Sequence, residues 1–171
     1  AAELIKKSKK PIIISGGGVL YSDATDELSD FAKKHNIPVT QTVMGYSSLK
    51  KDHSHYLGAI GGLGSKAANN LSKETDTAIA IGTKLADFTT GSWANFENPD
   101  FKLVSINAAR FDANKHMAQA VVGDAKVSLS ELSLVLGSWK AEDSWNEKAQ
   151  LELKSWNEYV DKESGPTNQK L

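Results

Sequence analysis

A chain of 171 residues with a hydrophobic fraction of 40% is long enough for one domain with a sizeable core. Its 20 basic and 21 acidic residues leave a formal net charge of -1, which speaks against a nucleic-acid or anionic-membrane surface. No apolar run approaches the ~20 residues of a membrane span, and the lack of cysteine excludes disulfides, thiolate nucleophiles and cysteine-based zinc sites.

Ala2, Leu4 and Ile5 place a short amphipathic helix over residues 1–9. Pro11 opens PIIISGGG, a β-branched run closed by three glycines, as suits a strand buried on both faces. Ser22 or Asp23 is expected to cap a helix with Leu28, Phe31 and Ala32 on one side, ending near HNIP. PVTQT gives a second strand, and residues 43–64 read as glycine-rich and irregular. GSKAANNLSKE is a helix with Ala67, Ala68 and Leu71 inward, and DTAIAIG, FKLVSIN and AQAVVGD supply further strands. Asp124 caps AKVSLSELSLVL, whose apolar face is assigned to Val127, Leu129, Leu132, Leu134 and Leu136. Beyond Gly137, tryptophans stand among dense charge, which reads as a helix striped by Trp145, Leu153, Trp156 and Val160. That helix is expected to dock on the domain or on a partner, and the last seven or so residues read as linker. No secretory leader pattern opens the chain, which suits a cytoplasmic protein. Both ends look cut, so a longer parent protein is expected.

Helices alternating with buried strands imply an α/β fold, a parallel sheet with helices on both faces. Ligands of such sheets sit at the carboxyl ends of the strands. The loops there include GGG, MGYSS, GTKLADFTTG, NAARFDA and GDAK.

The candidate sites are weighed against plainer roles. GLGSKA (62–67) has the glycine spacing of a dinucleotide loop, but no clear strand precedes it, and a lead-in to a helix is the preferred reading. Gly16 to Gly18 directly follow a strand, and either ligand contact or a tight turn accounts for them. His53 and His55 read as surface residues rather than metal ligands. His35 sits where a helix C-terminus favours a cation, and His116 has no visible partner. No serine stands on a nucleophile elbow, and Glu142 and Asp143 read as solvated. Neither a catalytic set nor a metal set emerges.

Six motifs follow one another in a recognisable order: KPIIISGGGV, IPVTQTVMG, LGAIGGLGSKAAN, DTAIAIGTKLADFTTG, KLVSIN and VVGDAK. Over residues 1 to about 137 this order resembles the central domain of thiamine-diphosphate-dependent enzymes. DHSHYLGAIGGLGSKAAN, DFTTGSW, RFDANKH and WNEKAQLELKSW are more similar to the cyclic-dione hydrolases of myo-inositol degradation than to acetohydroxyacid synthase. The resemblance implies a Rossmann-like, six-stranded parallel domain of the deoxyhypusine-synthase-like type, spanning 1–137. Residues 138–171 would lead toward a diphosphate-binding domain, with a pyrimidine-binding domain on the other side. Thiamine diphosphate and Mg2+ would belong to those flanking domains, and the parent would be an oligomer.

In flavin-bearing relatives this domain holds FAD or ADP. By position, the resemblance carries that role to Gly16, Gly17, Gly82, Thr83, Lys84, Asn107, Gly123 and Asp124. Three departures weaken the implied site. Lys84 stands where an arginine is expected and lacks its planar fork. Phe88 replaces a basic residue beside Asp87, and Asn107 replaces an acid. Weak FAD or ADP binding at best is therefore expected. The competing readings are a free-standing nucleotide-binding module and a domain of acetohydroxyacid synthase or a decarboxylase-type thiamine enzyme.

Overall fold

A computed structural model describes residues 1–164; the linker expected over the last residues lies largely outside them. Six parallel strands form one sheet: β1 (Pro11–Ser15), β2 (Val39–Gln41), β3 (Tyr56–Ala59), β4 (Thr77–Ile81), β5 (Lys102–Asn107) and β6 (Gln119–Val122). Their order is β3-β2-β1-β4-β5-β6, the doubly wound Rossmann order. The apolar runs of β1 and β4 lie side by side at its centre, in register from Pro11 against Thr77 to Ser15 against Ile81.

Strand alternation divides the core in two. Ile13, Ile79, Ile81, Val104 and Ile106 face α1 (Ala2–Lys6), α3 (Thr25–His35) and α7 (Ala125–Leu136). Ile12, Ile14, Ala78, Ala80 and Leu103 face the other way, toward α4 (Lys66–Glu74) and α8 (Asp143–Glu163). Small residues prevail on this second side: Ala67, Ala68 and Ala149 are fully buried there. Trp145 closes it, 4% exposed, with its indole Nε1 donating to the Pro11 carbonyl at 2.8 Å. The expected docking of the tryptophan helix is thus met, with Leu153 and Trp156 partly buried behind Trp145.

Three expectations are corrected. Residues 43–64 contain β3, a short edge strand that Gly58, at φ 97°, and a register shift against β2 disguise. Ser22 and Asp23 cap nothing, because a short helix α2 (Gly17–Tyr21) comes first and α3 starts after Ala24 without a side-chain cap. On α7, Leu129, Leu132 and Leu136 are buried, whereas Val127 and Leu134 are exposed. Five residues separate Leu129 from Leu134, which carries Leu134 off the inner stripe of a 3.6-residue helix. The cap at Asp124 forms as read, its side chain accepting from the Val127 amide, and Ser65 caps α4 in the same way through the Ala68 amide.

Candidate functional site

Strand order reverses between β1 and β4, so the loops leaving their carboxyl ends diverge and leave a crevice. The two loops first touch through backbone alone. Gly16 N–H donates to the Ile81 carbonyl at 2.8 Å and Gly18 N–H to the Gly82 carbonyl at 2.9 Å. Gly82 sits at φ 60°, and a Cβ on it would lie 2.5 Å from the Gly18 Cα, so only glycine allows this approach.

Above that junction lies a cleft of ≈ 720 Å³. Of the positions carried over by resemblance, Gly17, Gly82, Thr83, Lys84, Asn107 and Gly123 line it. Gly16 is buried beneath it, and Asp124 is engaged in capping α7. Met44 and Asp112 line it too, within the MGYSS and NAARFDA loops that the sequence placed at the strand ends. Tyr21, at the end of α2, and Val43 also line it, and nothing local in the sequence marks them. Phe88, noted only as a departure, forms part of the wall.

Most of the cleft's polar atoms serve the loops that build it. The Gly82 amide donates to the Ile106 carbonyl at 2.8 Å. Asn107 donates from Nδ2 to the Thr83 carbonyl at 3.1 Å and accepts at Oδ1 from the Ala109 amide at 2.9 Å. Thr83 Oγ1 accepts from the Leu85 amide. Asp124 is held below the usual carboxylate range by a hydrogen bond from Ser22 and by the Val127 amide. Asp112 is bound by Lys115 at 2.6 Å. Among the lining residues Lys84 is the one cation, a poor match for a diphosphate, which favours bidentate charge-assisted donors. The described residues hold no group of three or more His, Asp or Glu placed for a metal ion. They therefore do not fit the cage that a metal-bound diphosphate needs.

The remaining candidates resolve structurally. A strand does precede GLGSKA, against expectation, yet its glycines serve packing. Asn69 clasps both backbone atoms of Gly61, Gly62 N–H donates to the Phe88 carbonyl at 3.0 Å, and the Phe88 ring lies over Gly62. The loop after β4, with its helical turn α5 (Asp87–Thr90), is thereby fixed to the loop after β3.

The histidines differ from their sequence reading. His55 is only 7% exposed, and burial pushes its pKa down to about 4. His35 is fully buried, and burial lowers its pKa too. Its ring is engaged with the Trp139 carbonyl and the Ser133 hydroxyl rather than exposed at the end of α3. His116 lies against Trp93 with the rings tilted, their centroids 4.4 Å apart. Among the described residues no helix is long and apolar enough to cross a membrane.

Known proteins resemble this chain in sequence. The family described as "Thiamine pyrophosphate enzyme, central domain" matches residues 1–132. A "3D-(3,5/4)-trihydroxycyclohexane-1,2-dione hydrolase" from Clostridium perfringens is 42% identical over 92% of this chain and 25% of its own length. A Clostridium botulinum protein of the same name is 43% identical over 93% of this chain and 25% of its own. A Bacillus cereus relative named as such a hydrolase is 46% identical over 77% and 20%, respectively. The chain spans about a quarter of the length of these curated relatives. A parallel sheet in Rossmann order, a glycine-built switch point and the family match over residues 1–132 together place this chain in the thiamine pyrophosphate enzyme central-domain family.

Proposed function

We propose that this chain is a non-catalytic scaffold domain within a thiamine-diphosphate-dependent hydrolase that opens a cyclic 1,2-dione in the cytoplasm during myo-inositol breakdown. The observation that carries the reading is the cleft at the switch point. Its loops spend their polar atoms on one another, and its lining offers one lysine and no nucleophile–base pair. The identity with the dione hydrolases supplies the substrate class. Thiamine diphosphate, bound with Mg2+ in flanking pyrimidine- and diphosphate-binding domains, supplies carbanion chemistry. This chain's part is to hold those domains in place, within an oligomer, with residues 138–171 leading toward one of them.

The cleft is read as the remnant of a nucleotide groove around Gly17, Gly82, Thr83, Lys84 and Asn107. Two missing charge-assisted contacts, at roughly 1.5–3 kcal/mol each, weaken FAD or ADP by about two to four orders of magnitude. Calorimetry with either nucleotide should give a dissociation constant weaker than about 1 mM. A micromolar constant abolished by Lys84→Ala would overturn the scaffold reading of the cleft. Supplied with thiamine diphosphate and magnesium, the 171-residue chain should turn over no cyclic dione, while the full-length gene product should. Turnover proportional to the concentration of the chain alone would sink the proposal.

A further inference from the structure

Large apolar side chains stand exposed along one edge of the sheet. Tyr21 follows β1, Val43 and Met44 follow β2, Leu63 follows β3, Phe88 follows β4 and Phe111 follows β5, and all six are exposed. Five of the six strands thus present apolar groups in the loops at their carboxyl ends. These groups share one surface. Tyr21, Val43, Met44 and Phe88 line the cleft together, the Phe88 ring lies over Gly62 beside Leu63, and Phe111 adjoins the lining residue Asp112. The opposite edge differs in kind, with a hollow lined by Glu3, Lys7, Lys9, Lys10, Asp100 and Lys102. A continuous exposed apolar surface marks a place of contact. Since the polar atoms of the cleft are taken up by its own loops, it offers a partner shape and apolar area rather than charge.

The course of α8 says what reaches this edge. It runs along α4 in the direction of the strands: Lys148 pairs with Glu74, Asn70 donates to Glu152 at 3.4 Å, and the Lys66 ammonium lies 4.9 Å from the centroid of the Tyr159 ring. Glu74 ends α4 at the amino edge, just before β4, and Lys66 opens it at the carboxyl edge. α8 therefore climbs from the charged edge to the apolar one, and its last turn stands beside the loop that carries Leu63. Polypeptide that follows α8 sets out from there. In the curated hydrolases the matched part is 25% of the length, which leaves ample chain to cover the surface.

We propose that the surface running from Leu63 across Phe88 to Met44 and Tyr21 is the seat of the domain that follows α8 in the full-length polypeptide. The occupant is an apolar, weakly charged face of that domain, with side chains that fill the cleft. This rests on the scaffold reading above, and it names the edge by which the scaffold acts and the segment it holds. Because α8 tethers the domain, docking is intramolecular, and a contact too weak to hold a free partner suffices.

The two methionines of the chain supply the test without any substitution. Met44 is 67% exposed on this edge, and Met117 is 100% exposed near the amino start of β6. Hydroxyl-radical footprinting of the 171-residue chain should oxidise Met44, Leu63 and Met117 alike. In the full-length gene product Met44 and Leu63 should react about fivefold or more slowly, with Met117 unchanged. An amine-reactive cross-linker should join Lys84 to residues beyond 171. Rates that stay equal in the two proteins, or that fall alike for both methionines, would overturn the proposal. So would protection of Met44 without Leu63, which is a small ligand in the cleft. Protection in the 171-residue chain that grows with its concentration assigns the edge to a second copy. Cross-links from Lys84 only to residues upstream of Ala1 assign it to the other flanking domain, and either result sinks the inference. Neither readout depends on catalysis or nucleotide affinity, so turnover by the chain alone would fell the scaffold reading without deciding this one.

Discussion

Replacing Trp145 by alanine should lower the stability of the chain by about 3–5 kcal/mol. The indole is 4% exposed and sits in the second-face cluster with Ile12, Ile14 and Leu57. The truncation leaves a cavity the size of an aromatic ring, and rigid strands β1 and β4 on one side limit its collapse. It also strips the Pro11 carbonyl of the indole donor, a buried loss of roughly 1–3 kcal/mol. The Lys10 ammonium, 5.6 Å from the ring centroid, adds a minor, solvent-screened share. Trp145→Phe keeps most of the apolar contact and removes the donor, so about 1–2 kcal/mol is expected of it. Urea melts compare the two. A loss under about 1 kcal/mol for Trp145→Ala would show that α8 contributes little to the fold.

Gly82→Ala should cost at least about 3 kcal/mol or yield no folded protein, for a different reason. The new methyl would lie 2.5 Å from the Gly18 Cα and 2.8 Å from its carbonyl carbon, and backbone cannot step aside as a side chain can. To relieve the clash α2 must shift, breaking the Gly18-to-Gly82 bond. Gly91 provides the control. It has nearly the same φ of 59°, but its added Cβ meets only Asn95 at 3.5 Å. Gly91→Ala therefore carries the left-handed strain alone, about 1–2 kcal/mol. Equal melting temperatures for the two variants would show that close approach at the switch point does not matter.

That contrast also marks what a sequence reveals. β1 and β4 are legible because β-branched runs bounded by glycine state their burial locally. β3 is not, since four residues containing a left-handed glycine carry no period. The Asp124 cap is legible as a residue type before an apolar stripe. The role of Gly82 depends on a partner sixty-odd positions away, so GGG and GTK can be recognised as turns but not as each other's contact. The histidines fail likewise: His35 looks like a helix-end cation until Trp139 and Ser133 are seen around it. In the cleft the glycines, Lys84 and Asn107 were readable by position and the loops of Met44 and Asp112 by their place after strands, while Tyr21 and Val43 are gathered only by the fold.

The docking of α8 on the first strand has a consequence for the order in which the chain can be made. Emerging from the ribosome, it can bury most of its first face once Leu136 is available, since α1, α3 and α7 all lie upstream and only Trp139 and Ala141 follow. The second face must wait for Trp145 and Ala149, which cover Ile12 and Ile14. Until then a greasy half-sheet stands open on the nascent polypeptide. A translational pause between residues 137 and 149 would prolong the interval in which a chaperone, or another unfinished copy, can find it.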